Sequence, residues 1–376
     1  MPTYDYIILG AGLSGLKMAT RMASDPFFAD KQILILDKEE KTKNDKTWCH
    51  WGKGDSDFQE LVSKTWPKIQ FSSTDFDEQF AIEPYAYHKI ESLDFYKWAF
   101  AKISQTQNIY FKVEAFVSYE EQDDCISLKT DQNEYTTRKL LTSFLPPERL
   151  EKQRVFPVLK QHFIGWKIKT RENVFSPDVA TFMDFTVPQR GNTRFMYVLP
   201  EGKNEALVEY TLFSKDLLKD EEYEAAIKDY LTERQITDYE IVDKEQGVIP
   251  MTAFPFEQHN SKNVMHIGTA GGWTRGSTGY TFHYAEKFSR KLLDFLKTEK
   301  DFKQFKIADR FRWYDKLFLQ VLSAQNERGA ALFTLMFQKN PPERIFRFLD
   351  GESTLSEDIK IIWSLPKVPF LKALFV

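Results

Sequence analysis

Short apolar runs ending in glycine or in an acidic residue mark the start of the chain. Tyr4–Leu9 is such a run and ends in glycines, which is typical of a buried parallel strand. Leu13–Ala23 follows with a helical pattern, and Gln32–Leu36 is a second apolar run closed by Asp37. This order predicts a strand–helix–strand unit.

The middle of the chain changes to a period of two. Between Gln161 and Phe213, apolar and polar residues alternate in several short runs, which predicts strands of an antiparallel or mixed sheet. The predicted strands are Phe163–Ile168, Ala180–Phe185, Arg194–Leu199 and Ala206–Phe213.

Further elements are predicted on both sides of this sheet. The strands are Ile109–Ser118, Cys125–Lys129, Lys139–Ser143 and Val264–Ile267, and the helices are Leu93–Lys102, Glu221–Leu231 and Thr278–Leu296. From Asp301 onward the pattern is mostly helical, with a break at Pro341-Pro342, because proline interrupts a helix.

A glycine motif lies between the first strand and the first helix. Gly10, Gly12 and Gly15 fit the spacing G-x-G-x-x-G, in which the glycines allow a tight turn, close approach of a pyrophosphate and helix–strand packing. Asp37 lies at the end of the next strand, where a carboxylate can bind ribose hydroxyls. The sequence therefore predicts a nucleotide site, the alternative being an ordinary strand–helix turn.

A second glycine-rich loop lies far along the chain, between a predicted strand and a predicted helix. Two such loops favour FAD over NAD, because FAD is long and a second loop can reach its flavin end, where free amides would face an anionic flavin. The alternative is a glycine-rich turn without a ligand. The candidate residues are Gly268, Gly271, Gly272, Thr278 and Gly279.

These observations predict an α/β fold with a Rossmann-type FAD-binding domain that is interrupted by a substrate-binding sheet. Residues 1–160 and 246–300 would form the two parts of the FAD lobe. Residues 161–245 would form the mixed or antiparallel sheet, and residues 301–376 a helical C-terminal region.

Composition narrows the possible functions. The chain has 376 residues and a net charge of −4, which gives no strong field toward nucleic acid. Two cysteines without paired spacing support neither a disulfide framework nor a metal site, and no metal is expected. No stretch approaches the ~18 apolar residues of a membrane-spanning helix. Aromatic residues make up 15% of the chain, which suits an apolar or cation-forming ligand as well as core packing.

The sequence resembles the lycopene β-cyclase family over nearly its whole length, most closely the bacterial single-polypeptide type. The stretches Leu207–Thr211, Gly271–Trp273 and Ser277–Tyr280 carry more of the resemblance than the glycine motif, which many flavoproteins share. The other matching stretches are Asp5–Gly15, Asp45–Cys49 with Trp51, Gln161–Phe163 with Gly165-Trp166, Phe182–Phe185 and Ile249–Thr252.

The resemblance implies an enzyme that binds FAD, needs it reduced by NAD(P)H, and closes the ψ-ends of lycopene without net redox change. It implies a cytoplasmic protein, peripheral on the inner face of the membrane. The sequence leaves open β- against ε-rings, one ring against two, NADPH against NADH, and the oligomeric state. The alternatives are a flavin monooxygenase, a prenyl-chain reductase, or a non-catalytic carotenoid carrier.

The reaction needs a neutral acid in a dry site, because the substrate has no heteroatom to protonate. Glu209 is the candidate acid: it lies among apolar neighbours on a predicted strand in the best-matching stretch, although a paired structural glutamate fits the pattern too. Reduced flavin is an alternative donor. Asp184 is a candidate base or orienting residue, or a structural one. Trp273 and Tyr280 could offer π faces to the cation, or pack in the core.

The C-terminal tail, Leu365–Val376, is rich in apolar residues and contains Lys367 and Lys372. This composition predicts shallow insertion into a membrane surface with the lysines at headgroup level. A tail that folds onto the core is the alternative.

Overall fold

The structure is a computed structural model, and it describes residues 2–54, 56–122, 125–146, 148–298, 300–307 and 309–375. The strands are β1 (Thr3–Leu9), β2 (Ile33–Asp37), β3 (Thr47–Gly52), β4 (Val62–Trp66), β5 (Lys68–Ser73), β6 (Phe76–Ala81), β7 (Ala86–Glu91), β8 (Ile109–Val113), β9 (Phe116–Glu121), β10 (Ile126–Thr130), β11 (Glu134–Thr142), β12 (Leu159–Thr170), β13 (Val179–Asp184), β14 (Thr193–Pro200), β15 (Glu205–Ser214), β16 (Tyr239–Met251) and β17 (Val264–His266). The helices are α1 (Leu13–Ala23), α2 (Ser92–Ile103), α3 (Glu148–Lys152), α4 (Asp220–Glu233), α5 (Phe282–Leu296), α6 (Arg310–Ala324), α7 (Gly329–Lys339), α8 (Pro342–Leu349), α9 (Leu355–Ser364) and α10 (Lys367–Ala373).

The first sheet is the predicted nucleotide-binding unit. Its strands run in the order β8-β2-β1-β11-β10-β9, and β17 pairs with the end of β11. The strands β8, β2, β1, β11 and β17 pair in parallel with one another, whereas β10 is antiparallel to both β11 and β9. Helix α1 packs against α5. The strand–helix–strand prediction is confirmed, and the two ends of the FAD lobe meet at β11 and β17.

The second sheet runs in the order β16-β12-β15-β14-β13-β5-β6. Its strand pairs are antiparallel except for β13 and β5, so the predicted mixed sheet is confirmed. Helix α4 covers one face of this sheet, and the C-terminal helices pack against the other face. A small sheet in the order β3-β7-β4 lies beside both.

Several elements differ from the sequence-based expectations. The predicted strand Ile109–Ser118 is two strands, β8 and β9, and the helix expected from Thr278 begins at Phe282. Strand β16 was not predicted because it is an edge strand with mostly exposed polar residues, so apolar alternation is missing. The expected boundary between residues 245 and 246 falls inside β16, and β5 and β6 from the first segment belong to the second sheet.

The C-terminal region is helical, as predicted, and the break at Pro341-Pro342 separates α7 from α8. These helices bury Phe318, Phe333 and Phe346 against the second sheet in one large apolar cluster. Over the residues that the structure describes, no helix combines the length and hydropathy needed to cross a bilayer.

Candidate active site

Two glycines of the first loop are required by packing. A Cβ at Gly15 would lie 1.9 Å from the carbonyl oxygen of Gly10, so any side chain there would push α1 away from β1. Gly10 has φ of +104° and lies against Ser143, so it also resists substitution. These two positions explain the close strand–helix turn.

Gly12 differs from both, because a Cβ at Gly12 would meet nothing within 4 Å. Its backbone is extended, and it precedes α1, whose first turn has no side-chain cap. The loop therefore leaves an open space in front of free helix amides, which fits the pyrophosphate of a dinucleotide.

Asp37 lies at the end of β2 beside this loop. Its Oδ2 accepts a hydrogen bond from the Ala11 amide at 2.7 Å, and the ammonium of Lys41 lies 3.3 Å from Oδ1. The carboxylate thus orders the glycine loop at the position expected for a ribose contact.

The second loop is divided between cavity and core. Gly268, Thr278 and Gly279 line the same cavity as Gly12, whereas Gly271 packs on the His266 carbonyl and Gly272 packs on Phe256. Among the described residues, the buried Oγ1 of Thr278 and Oε1 of Gln161 have no hydrogen-bond partner. Two unpaired polar atoms beside the glycine loops again fit a polar cofactor.

The central cavity, as we call it, has a volume of about 480 Å³ and runs from Gly12 to Glu209. It is bounded by the first loop, the second loop, β3, β7 and one face of the second sheet. Besides the loop residues, its lining includes Thr47, Cys49, Tyr87, Gln161, Phe163, Tyr197, Leu207, Glu209, Glu245 and Tyr280.

Glu209 lies at the sheet end of this cavity and is 8% exposed. Its strand β15 places Leu207 and Thr211 on the same face, and the Thr211 hydroxyl donates a 2.6 Å hydrogen bond to Oε1. Burial, together with the nearby Glu245 carboxyl, raises the pKa of Glu209 to about 8. Near neutral pH this carboxyl is therefore mostly protonated.

Glu245 was not singled out from the sequence. It lies on β16 and shares a hydrogen bond with Glu209, while its Oε2 accepts a 2.6 Å hydrogen bond from the Thr47 hydroxyl. Burial also raises the pKa of Glu245. The sequence offers little to mark Glu245 as a site residue, because it lies in a run of exposed charged residues. The pairing of β16 with β12, which brings Glu245 to Glu209, cannot be deduced from that run.

The two aromatic candidates, Trp273 and Tyr280, lie in different surroundings. Tyr280 lines the cavity, with its ring 4.6 Å from that of Trp51 and its hydroxyl 3.4 Å from that of Tyr197. Trp273 is fully buried in the core beside Phe288 and does not line the cavity. Of the two, only Tyr280 is placed to face a ligand in the central cavity.

Asp184 lies on the opposite face of the sheet from Glu209, which corrects the expectation that the two share a site. In the strand register, Asp184 is beside Met196 and Met196 is beside Tyr210, so Asp184 and Tyr210 share a face and Glu209 takes the other. The Asp184 carboxylate accepts hydrogen bonds from Tyr230 at 2.8 Å and Arg234 at 2.7 Å. These contacts make Asp184 a link between the sheet and α4.

Two flavoproteins have solved structures with this architecture. A flavin-dependent brominase matches with a TM-score of 0.65 and 14% identity, covering 95% of this chain and 97% of its own. A flavoprotein/dehydrogenase from Cytophaga hutchinsonii matches with a TM-score of 0.66 and 10% identity, covering 99% of both chains. The protein therefore has the fold of these flavoproteins, with glycine loops after β1 and β17 of its first sheet.

Sequence comparison gives the particular family. The sequence profile described as lycopene cyclase protein matches residues 5–375. The lycopene beta-cyclase of Pantoea ananas is 25% identical over 397 residues, covering 99% of this chain and 97% of the relative. The lycopene beta-cyclase of a Paracoccus species is 26% identical, covering 98% and 95%. The chain belongs to the lycopene cyclase family, and the resemblance stated from its motifs is confirmed.

Proposed function

We propose that this protein closes the acyclic ψ-ends of lycopene into β-rings, giving β-carotene by way of γ-carotene, with reduced FAD and without net redox change. The observation that carries the proposal is Glu209, buried at the far end of a cavity that begins at a dinucleotide-type glycine loop, where burial raises its pKa to about 8. A neutral acid in an apolar site is what protonation of an unactivated alkene requires.

Each ring closure takes up one proton and releases one proton. Glu209 gives its proton to the terminal double bond, the resulting tertiary cation is attacked by the next double bond, and the ring then loses one proton. After the first transfer, Glu209 and Glu245 are both carboxylates, which stabilises the nearby cation. Two close negative charges also favour the return of one proton from the ring, so the pair recovers its starting state.

Aromatic rings line the same end of the cavity. Tyr280 is held by Trp51 and Tyr197, and Tyr87 lies beside Cys49. Their π faces would stabilise a positive charge and their bulk would exclude water that could trap the cation.

FAD would be held by the amides after Gly12, by Asp37, and by the loop residues Gly268, Thr278 and Gly279. When bound in its reduced form, it would supply negative charge next to the reacting chain. We further propose NAD(P)H as the reductant, which the family resemblance implies.

We also propose peripheral membrane contact through the C-terminal helices, since the substrate dissolves in lipid. The tail packs Leu365 and Phe370 on the core, so it is partly folded onto the protein, while its other face is exposed. The exposed apolar residues of α9, α10 and the tail are Leu355, Ile359, Ile362, Trp363, Val368, Leu371, Leu374 and Phe375, whereas Val376 lies outside the described residues.

The function is tested by anaerobic incubation of purified protein, FAD and dithionite with lycopene in liposomes, followed by chromatography of the pigments. We expect γ-carotene and β-carotene. A monooxygenase would require dioxygen, and a reductase would consume NAD(P)H for each product, so measuring both quantities in a parallel NAD(P)H reaction separates those alternatives. Lycopene that stays unchanged with FAD bound and reduced would refute the proposal.

A further inference from the structure

A second apolar cavity, which we call the C-terminal groove, lies among the C-terminal helices. It has a volume of about 250 Å³, and α6, α7, α8, α9 and α10 all contribute to its lining. The side chains are predominantly large and apolar, among them Leu317, Phe318, Met336, Phe348 and Phe370. No step of the proposed reaction uses this groove.

The groove reaches the active site at the second glycine loop. Thr278 lines both the groove and the central cavity, and Ser277 and Asp315 lie beside it at the inner end of the groove. The Asp315 carboxylate is paired with the Arg275 guanidinium at 2.9 Å. Among the described residues, Thr278 lines both spaces, so the groove and the central cavity adjoin at this residue.

The central cavity is too small to hold a whole carotenoid together with FAD. A site for one small molecule or cofactor typically has a volume of about 300–1,000 Å³. The 480 Å³ of the central cavity must contain the flavin and one reacting end. The remainder of a long, rigid polyene must therefore leave the cavity through an apolar path.

The outer end of the groove opens on the apolar surface formed by α9, α10 and the tail. Ile362, Leu371 and Leu374 line the groove and are each exposed by more than two fifths. A hydrocarbon that leaves a lipid phase at this surface would remain in contact with apolar side chains until it reached Thr278.

We propose that the C-terminal groove binds the unreacted part of the linear polyene while one of its ends lies beside Glu209. The inference rests on the proposed function, because it takes a long acyclic hydrocarbon as the ligand. It adds a binding site for the body of the substrate and a direction of entry, from the surface of α9 and α10 toward Thr278.

Two isoleucines on α9 provide a matched test. Ile362 lines the groove, whereas Ile359, on the same helix and also exposed, does not. Ile362→Trp would fill the groove, and Ile359→Trp adds the same bulk outside it. The substrates are lycopene and a shortened acyclic polyene with the same ψ-end. Loss of the groove should raise KM for lycopene by about tenfold or more, which corresponds to about 1.4 kcal/mol or more of binding free energy.

We expect Ile362→Trp to show this rise with lycopene, unchanged kinetics with the shortened substrate, and wild-type FAD content. Ile359→Trp should match the wild type with both when the substrates are supplied in detergent micelles, so that membrane contact through α9 plays no part. Equal kinetics of the two variants, or equal loss of both substrates in Ile362→Trp, would overturn the proposal. If Ile362→Trp does not fold, Leu317→Trp fills the groove from α6 and is judged by the same criteria.

Binding is measured separately, as lycopene retained by detergent-solubilised protein during gel filtration. If the wild type retains lycopene, Ile362→Trp loses it and neither forms rings, the groove assignment holds and the cyclase assignment fails. If the wild type forms rings and both variants retain lycopene equally, the cyclase assignment holds and the groove assignment fails.

Discussion

Glu209 on β15 and Glu245 on β16 meet across Gly165, which lies on β12, the strand between them. In the register of the second sheet, Gly165 pairs with Glu209 on one side and with Glu245 on the other. A Cβ at Gly165 would lie 3.4 Å from the Glu209 Cβ and 3.3 Å from the Glu245 Cγ. The glycine thus leaves room for two carboxyl groups from non-adjacent strands to share a proton.

Glu209→Gln should strongly slow ring formation, because the amide keeps the shape of the side chain but has no proton to donate at useful acidity. General acid catalysis is worth about 10²–10⁴ in rate, and we expect a loss at the upper end of this range. The measurement is the rate of ring formation at matched FAD occupancy. The control is Glu205→Gln, a carboxylate on the same strand and face that lies outside the central cavity.

The same substitution should stabilise the protein at alkaline pH. The pKa of Glu209 is raised from 4.5 to about 8 in the folded state. Ionisation of this carboxyl therefore lowers the free energy of unfolding as the pH rises from about 4.5 toward 8. One pKa unit corresponds to about 1.4 kcal/mol, so Tm of Glu209→Gln should exceed that of the wild type at pH 8 and approach it at pH 5. A Tm difference between Glu209→Gln and the wild type that stays constant with pH would contradict the raised pKa.

In the rate measurement described above, cyclisation by Glu209→Gln within about tenfold of the wild type would exclude Glu209 as the acid.

Glu245→Gln should move the pH dependence rather than remove activity altogether. The Glu245 carboxyl helps to raise the pKa of Glu209, so its removal lowers that pKa and Glu209 loses its proton at lower pH. The wild-type rate should fall as pH rises through about 8, and the variant rate should fall at lower pH. The measurement is kcat against pH, with Glu205→Gln as the control; an unmoved descending limb would show that Glu245 does not set the acidity of Glu209.

The sequence singled out Glu209 but not its neighbour Glu245, and the reason is physical. Glu209 stands out because it interrupts an apolar run on a buried strand, whereas Glu245 lies on an edge strand among exposed charges. Their contact depends on the pairing of three strands and on the side-chain parity at Gly165. The same alternation of side chains between the two faces of the sheet places Asp184 on the face opposite Glu209. The local sequence pattern around Asp184 could not reveal this.

The nucleotide-binding unit was more predictable, because its signals are local. The limits of α1 agree with the sequence-based prediction, and the glycine spacing alone placed the turn between β1 and α1. In the second loop, the sequence did not distinguish Gly268 and Gly279, which line the cavity, from Gly271 and Gly272, which serve packing. That distinction depends on which backbone each glycine approaches.

Gly12 and Gly15 should respond differently to alanine. Gly15→Ala should destabilise the fold, since its Cβ would clash with the Gly10 carbonyl oxygen, whereas Gly12→Ala has open space. We expect wild-type Tm of the apoprotein but weakened FAD binding for Gly12→Ala, and complete loss of FAD for Gly12→Val. Thermal unfolding of the apoprotein and FAD titration check this; full FAD affinity in a folded Gly12→Val protein would refute the assignment of the first loop.

Asp184→Asn should affect stability rather than chemistry. The carboxylate links the sheet to α4 through Tyr230 and Arg234, and loss of a charged hydrogen-bond partner in a buried site costs about 1–3 kcal/mol. We expect a lower Tm with kcat unchanged per folded, FAD-loaded molecule. A large fall in kcat at unchanged Tm would instead return Asp184 to the chemistry.

Membrane contact should depend on the exposed aromatic residues near the C-terminus. Trp363 is 67% exposed and Phe375 is 89% exposed, and neither lines the C-terminal groove, so both can be changed without altering that cavity. The ammonium of Lys367 lies 3.8 Å over the Trp363 ring, which places a cation and an aromatic ring together, as at a headgroup boundary. Burial of one large apolar side chain contributes about 1.5–3 kcal/mol, so Trp363→Ser with Phe375→Ser should weaken vesicle binding by about tenfold or more.

The measurement is flotation with phosphatidylcholine vesicles, with and without phosphatidylglycerol, and the control is Val117→Ser with Val155→Ser, two exposed apolar residues elsewhere. Because Leu365 and Phe370 stay in place, the tail remains packed on the core. Equal flotation of both double variants and the wild type would show that this surface does not contact the membrane.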